Sequence, residues 1–295
     1  MRNFSANPAA SGLVAVLFFV AGFMFPGAPP AGATDHVGAS PWVYTDYARI
    51  RLVPGAIRSD GKRWLGVHIE LEPGWVTYWR NPGYSGVPPR FDWSKSANLA
   101  DAKVSYPAPR RLKSDYGVSY GYLNQVVFPV LISPGASDRD IKIELFAEYA
   151  VCREICIPEY SDLAIVLPGI EGDDSQVGQE LQNLVADFTA RVPRAQTADT
   201  ALRIETASVE KRSGRTVLSV IAALDGAAAG VELFVEGPDR YYFTVPDGPR
   251  DIGDGRGLFV VAIEGAKSVD DLAGARLGGT LVTPGGATEY WWTVE

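Results

Sequence analysis

The stretch Ile141-Lys142-Ile143-Glu144-Leu145-Phe146-Ala147-Glu148-Tyr149 decides the fold class. Ile141, Ile143 and Leu145 alternate with Lys142 and Glu144, a period of two that buries one face of a β-strand and leaves the other wet. Outward from it, β-type runs fall between turn signals at Val43 to Val53, Arg63 to Leu71, Trp75 to Trp79, Val126 to Ile132 and Leu163 to Leu167. Short strands at this spacing predict a β-sandwich. Between Pro82 and Pro109 proline and glycine are dense, which disfavours ladder pairing. A long ordered loop with one short strand is expected there.

Past Pro168 and Gly169 the pattern changes. Val177, Leu181, Leu184, Val185, Phe188 and Val192 recur at helical spacing and predict one amphipathic helix, stopped by Pro193 and followed by a polar linker from Ala195 to Thr200. Seven further strands are expected at Leu202 to Val209, Thr216 to Ala222, Val231 to Val235, Tyr241 to Val245, Leu258 to Ile263, Ala275 to Val282 and Thr288 to Val294. The expected fold is therefore all-β, with two immunoglobulin-like β-sandwich domains, 34–170 and 195–295, joined by one amphipathic helix within 171–194. The second domain contains neither cysteine nor histidine and is assigned no chemistry.

At the N-terminus, Arg2 precedes the apolar run Leu13 to Phe25 and the small residues Ala31, Gly32 and Ala33, the pattern of a secretory signal peptide over residues 1–33 cleaved after Ala33. The run is shorter than the ~20 residues of a spanning helix. A periplasmic protein, not transmembrane after cleavage, is expected. Loss of Arg2 would move the net charge from -8 to -9. Basic residues are scattered among acids, with Arg110, Arg111 and Lys113 the densest group, so a nucleic-acid partner is not expected.

Cys152 and Cys156 are the only two cysteines, in the run Tyr149-Ala150-Val151-Cys152-Arg153-Glu154-Ile155-Cys156-Ile157-Pro158-Glu159. In an oxidising compartment their redox state is a functional question. A disulfide requires Cα atoms about 4.4–6.8 Å apart, whereas four steps of a straight strand span ~13 Å, so the backbone must fold back between them. Arg153 lowers and Glu154 raises the acidity of a neighbouring thiol, so composition does not settle which sulfur is activated. Spacing alone leaves three readings open: a redox pair, a structural disulfide or a metal site. A closed zinc site needs four ligands, and besides the thiolates only His36, in the N-terminal arm, and His68, in a strand pattern, are at hand. Met1 and Met24, the thioethers that would favour copper(I), belong to the leader. No metal and no cofactor are expected.

Residues from about Trp42 to Leu167 resemble the N-terminal periplasmic domain of the thiol:disulfide interchange protein DsbD, and more closely that of the copper-tolerance ScsB proteins. The motifs are Gly74-Trp75-Val76-Thr77-Tyr78-Trp79-Arg80-Asn81-Pro82-Gly83, Gly86-Val87-Pro88-Pro89-Arg90-Phe91-Asp92-Trp93, Tyr116-Gly117, Phe128-Pro129-Val130 and Cys152 to Pro158. The resemblance implies an immunoglobulin-like domain whose cysteines take electrons from a membrane-embedded reductase and pass them to periplasmic disulfide-bearing proteins. Cys152 stands in the place of the family's first cysteine, the one that forms the mixed disulfide with substrate, and Cys156 in that of the second. Thiol/disulfide exchange needs no cofactor.

Two departures qualify the transfer: three residues separate the cysteines where well-known members have five, and Asp115 stands where those members carry a cap-loop phenylalanine. Tyr116, Tyr120 or Tyr122 is then expected to shield the sulfurs. Trp75, Tyr78 and Trp79 are read as core packing, and Arg80 as a partner of Asp92 or of the loop. The chain as given carries no membrane domain, so its electron donor is expected to be a separate protein. The other functional classes are a binding or assembly module whose disulfide pins a loop, and a copper(I)-handling protein.

Overall fold

Alternating side chains assemble two β-sandwiches. The computed structural model describes residues 38–84, 86–114, 117–169, 178–224, 226, 230–246 and 248–295. The first sandwich is built from β1 (Val43–Tyr44), β2 (Ala48–Ile57), β3 (Arg63–Leu71), β4 (Val76–Gly83), β5 (Arg90–Asp92), β6 (Leu99–Val104), β7 (Arg110–Ser114), β8 (Gly117–Leu123), β9 (Gln125–Pro134), β10 (Ile141–Cys152) and β11 (Cys156–Leu167). One sheet runs β1-β2-β3-β9-β6. The other runs β11-β10-β4-β8-β7, with β5 also paired to β10. All of these pairings are antiparallel, as one-sided burial allows.

Ile141, Ile143, Leu145, Ala147, Tyr149 and Val151 of β10 turn inward and join Ile50, Leu52, Leu65, Val67, Phe128 and Val130 of the facing sheet in one core. Each fully buried aliphatic side chain contributes roughly 1.5–3 kcal/mol. The helix α1 (Gln179–Ala190) buries Leu181, Val185 and Phe188 on β2, β3 and β9, so it belongs to the first core and is more than a connector.

The second half comprises β12 (Arg194–Ala195), β13 (Leu202–Arg212), β14 (Arg215–Leu224), β15 (Glu232–Glu236), β16 (Tyr242–Phe243), β17 (Arg250–Gly253), β18 (Arg256–Glu264), β19 (Arg276–Thr283) and β20 (Gly286–Thr293). Its sheets run β12-β20-β19-β15 and β13-β14-β18-β16, with β17 also on β18, around a core that includes Leu218, Val220, Phe259, Val261 and Leu281. All seven expected strands are present. Arg194 and Ala195, at the start of the expected linker, instead pair in parallel with Thr288 and Glu289.

The first half departs from expectation in three places. The run Val43 to Val53 turns back on itself, with the Thr45 amide and hydroxyl both donating to the Ala48 carbonyl, so that it forms the β1–β2 hairpin. The stretch from Pro82 to Pro109 holds two short strands, β5 and β6, rather than one. Arg110–Ser114 and Gly117–Leu123 pair as antiparallel strands, β7 and β8, whose glycine- and tyrosine-rich composition hides any apolar alternation. The leader 1–33, with Met1 and Met24, and His36 lie outside the described residues.

His68 is an ordinary sheet histidine. It is 2% exposed on β3, with Nε2 3.0 Å from Gln125 Oε1 and 3.5 Å from Glu70 Oε1, and its ring leans on Trp42. Burial pushes the imidazole down to about 4, against smaller opposing effects of the Gln125 hydrogen bond and the Glu70 charge. The unfolded imidazole protonates near 6.5, so between these values the unfolded chain binds more protons and stability falls as pH falls. Urea unfolding of the wild type should lose about 2–3 kcal/mol more between pH 7 and 4.5 than His68→Gln does. Parallel losses in the two proteins would contradict this.

Candidate redox site

The β10–β11 register builds the site. Twelve consecutive antiparallel pairs run from Ile141↔Leu167 to Cys152↔Cys156, and Arg153, Glu154 and Ile155 form the loop beyond. The odd-numbered residues of β10 face the core, so Cys152 and its opposite number Cys156 share the outer face. Their Cα atoms are 4.2 Å apart and the sulfurs are bonded. A directly opposed, non-hydrogen-bonded pair in an antiparallel ladder comes to about 4.5 Å, so the hairpin itself supplies the fold-back that the spacing demands.

The two sulfurs occupy unlike environments. Cys152 is 4% exposed, packed with Val76, Tyr78 and Ala150, whereas Cys156 is exposed. The Tyr78 hydroxyl lies 3.5 Å from Cys156 Sγ, and since a disulfide sulfur carries no hydrogen, the hydroxyl donates. Burial raises the Tyr78 pKa, which keeps it a protonated donor.

Several contacts hold that ring in place. Thr77 Oγ1 donates to the Ala150 carbonyl at 2.9 Å and ties β4 to β10. Gly86 lies against the ring, where a Cβ would come within 2.4 Å of Tyr78 Cδ1, and a Cβ at Gly121 would fall 2.0 Å from the Thr77 carbonyl oxygen. These close approaches explain two glycines of the β4–β8 region.

Beside the disulfide lies a hollow of about 540 Å³. Val76 and Tyr78 of β4, Leu112 and Lys113 of β7, and Leu123 of β8 line it, and Arg153 to Cys156 close it. Ile155, at the hairpin tip, is 67% exposed. A larger cleft of about 960 Å³ lies where the two sandwiches meet and holds neither cysteine.

Two of the three tyrosines expected at the sulfurs are described, and neither faces them. On β8, Tyr120 and Tyr122 both turn inward: Tyr120 meets Phe234 edge-on at 4.9 Å, and Tyr122 packs on Phe128 and donates to the Pro107 carbonyl. Ser119 and Leu123, of opposite parity, face the hollow. Tyr116 and Asp115 lie outside the described residues. Among the described residues, Tyr78, expected to pack with Trp75 and Trp79, touches a sulfur. Trp75 and Trp79 are core residues, and the parity that puts them inward puts Val76 and Tyr78 on the cysteine face. Arg80 pairs with Glu236 and Glu289, not with Asp92, whose carboxylate accepts from the Ser94 amide. Among the described residues no group of three or more His, Cys, Asp or Glu is placed to hold a metal.

An immunoglobulin-like β-domain with a disulfide closing a hairpin end, one sulfur exposed beside a hollow, has the geometry that thiol/disulfide exchange requires. Residues 50–168 match the family model described as thiol:disulfide interchange protein DsbD, N-terminal. The fold is similar to the crystal structure of the N-terminal periplasmic domain of ScsB from Proteus mirabilis, with TM-score 0.64 and 20% sequence identity over 87% of this chain and 98% of that one. No curated protein matches. No helix among the described residues is long and apolar enough to cross a membrane.

Tyr78→Phe removes a hydroxyl that reaches Cys156. Hydrogen bonds to charged groups contribute about 1.5–3 kcal/mol, so the Cys156 thiol pKa in the reduced protein should rise by about one unit or more. Alkylation rate against pH reads it. An unchanged profile would show that Tyr78 only packs.

Proposed function

We propose that this chain is a periplasmic thiol/disulfide exchange protein that carries electrons from a membrane-embedded reductase to exported disulfide-bearing proteins through Cys152 and Cys156. The observation that supports it most is the asymmetry of the pair, an exposed Cys156 bonded to a buried Cys152. A thiolate approaching from solvent reaches the Cys156 sulfur. Attack there breaks the Cys152–Cys156 bond, forms a mixed disulfide to Cys156 and releases Cys152 as a thiolate, which takes up a proton. A second thiolate of the donor then attacks its own sulfur in the mixed disulfide and frees Cys156. Two electrons have entered the pair.

In the forward half the steps reverse roles. The Cys156 thiolate, accepting the Tyr78 hydroxyl hydrogen bond, attacks a substrate disulfide and expels one substrate thiolate. Cys152 then attacks the Cys156 sulfur, restores the internal bond and releases the second substrate thiol. This assigns the mixed disulfide to Cys156, the second cysteine, because Cys152 lies beneath Tyr78 and Val76. A purely structural role gains little from this placement. Closing so short a loop removes only about 2 kcal/mol of chain entropy, in a hairpin already held by its ladder.

In exporting cells, Cys152→Ser should accumulate mixed disulfides through Cys156 that a reductant dissolves, while Cys156→Ser should accumulate few. Mass spectrometry of the non-reduced adducts decides it. The opposite ranking would return the exchanging role to Cys152, and adducts with neither variant would contradict exchange.

A further inference from the structure

We propose that the second sandwich positions the redox site, by holding strand β4 through Arg80 so that Tyr78 stays on Cys156. This rests on the exchange reading above. Strand β4 meets β10 at a single register pair, Cys152↔Val76, and its ladder with β8 is interrupted between Tyr78 and Gly83. In that interruption the side chains of Arg80 and Asn81 bond to the other sandwich.

The Arg80 guanidinium donates from Nε to both carboxylate oxygens of Glu236, at 3.1 and 3.0 Å. Its Nη2 donates to Glu236 Oε1 and to Glu289 Oε2, each at 2.7 Å. Asn81 Nδ2 donates to the Val235 carbonyl at 3.1 Å, and its Oδ1 accepts from the Gly83 amide. Phe234 sits edge-on to both Trp79 and Tyr120. Glu236 is itself buried on β15, so the clamp is anchored in the ladder of the second sandwich rather than on a mobile loop.

The opposite wall of the hollow is tied the same way. Arg111 of β7 donates to the Pro246 carbonyl and has Nε 3.2 Å from Glu232 Oε1, directly before Leu112 and Lys113. Fixed forks of this kind set geometry as well as attraction, which a lysine would not reproduce. Arg80 is thus a positioning residue, acting on the sulfur through Tyr78.

The test is a double-mutant cycle between the clamp and the tyrosine. Glu236→Gln/Glu289→Gln is made in the full chain, alone and with Tyr78→Phe. The measurements, on the reduced protein, are the second-order rate of Cys156 alkylation by iodoacetamide, the Cys156 thiol pKa, and the melting temperature. Loss of a hydrogen bond to the Cys156 thiolate raises its pKa by about one unit, which lowers the thiolate fraction below that pKa about tenfold and slows alkylation there. The clamp variant should slow alkylation toward the Tyr78→Phe rate and raise the thiol pKa, yet slow it no further in the Tyr78→Phe background. A clamp variant that melts lower but reacts at the wild-type rate, or slowing that multiplies with Tyr78→Phe, would overturn the proposal. Should the double variant fail to fold, Glu289→Gln, which keeps the two-oxygen contact to Glu236, must show the same non-additive pattern at smaller size. Alkylation of Cys156 remains measurable even if the pair exchanges with no protein partner, so failure of the exchange reading and failure of the clamp are separate results.

Discussion

The register of the β10–β11 hairpin is the constraint from which the site follows. Shifting the ladder by one residue would turn Ile141, Ile143 and Leu145 out to water and set Lys142 and Glu144 against the core. Burial of that face therefore fixes the pairing along the whole hairpin, and the last pair it fixes is Cys152 with Cys156. The disulfide is placed by hydrophobic burial that begins eleven residues away, at Ile141. Once opposed, the two cysteines differ only in what lies over them: β4 covers Cys152, and beyond the edge of β4 Cys156 stays open.

That arrangement supports the proposed division of labour between two cysteines alike in sequence. In that proposal the covered sulfur resolves a mixed disulfide from within, and the exposed one, beside the hollow and with a hydroxyl donor at hand to favour its thiolate, is the one that exchanges. The second sandwich, which contributes no sulfur, makes ion pairs to β4 and β7, two of the strands that line this hollow.

Much of this was legible in the chain because it depends on local periodicity. The alternation from Ile141 to Tyr149 and the helical spacing of Leu181, Val185 and Phe188 each report a buried face that the structure shows. The fold-back between the cysteines follows from bond reach alone. What escaped is set by contacts between distant parts of the chain. Tyr78 meets Cys156 across two strands that touch at one register pair, and Arg80 finds its carboxylates in strands far along the sequence. The parity of Trp75 and Trp79 already implied that Tyr78 faces the other way, but only the register of β4 on β10 shows that this face holds the sulfurs. Tyr120 and Tyr122 share a parity too, and it is the inward one.

The central claim is that the Cys152–Cys156 bond is a reversible couple and not a fixed brace. Its equilibrium reduction potential, measured on the full chain in glutathione and dithiothreitol buffers, tests this most directly. The account predicts a value within the range of disulfide exchange proteins, about -120 to -270 mV. A value below about -300 mV, where structural disulfides of exported proteins lie, would contradict it.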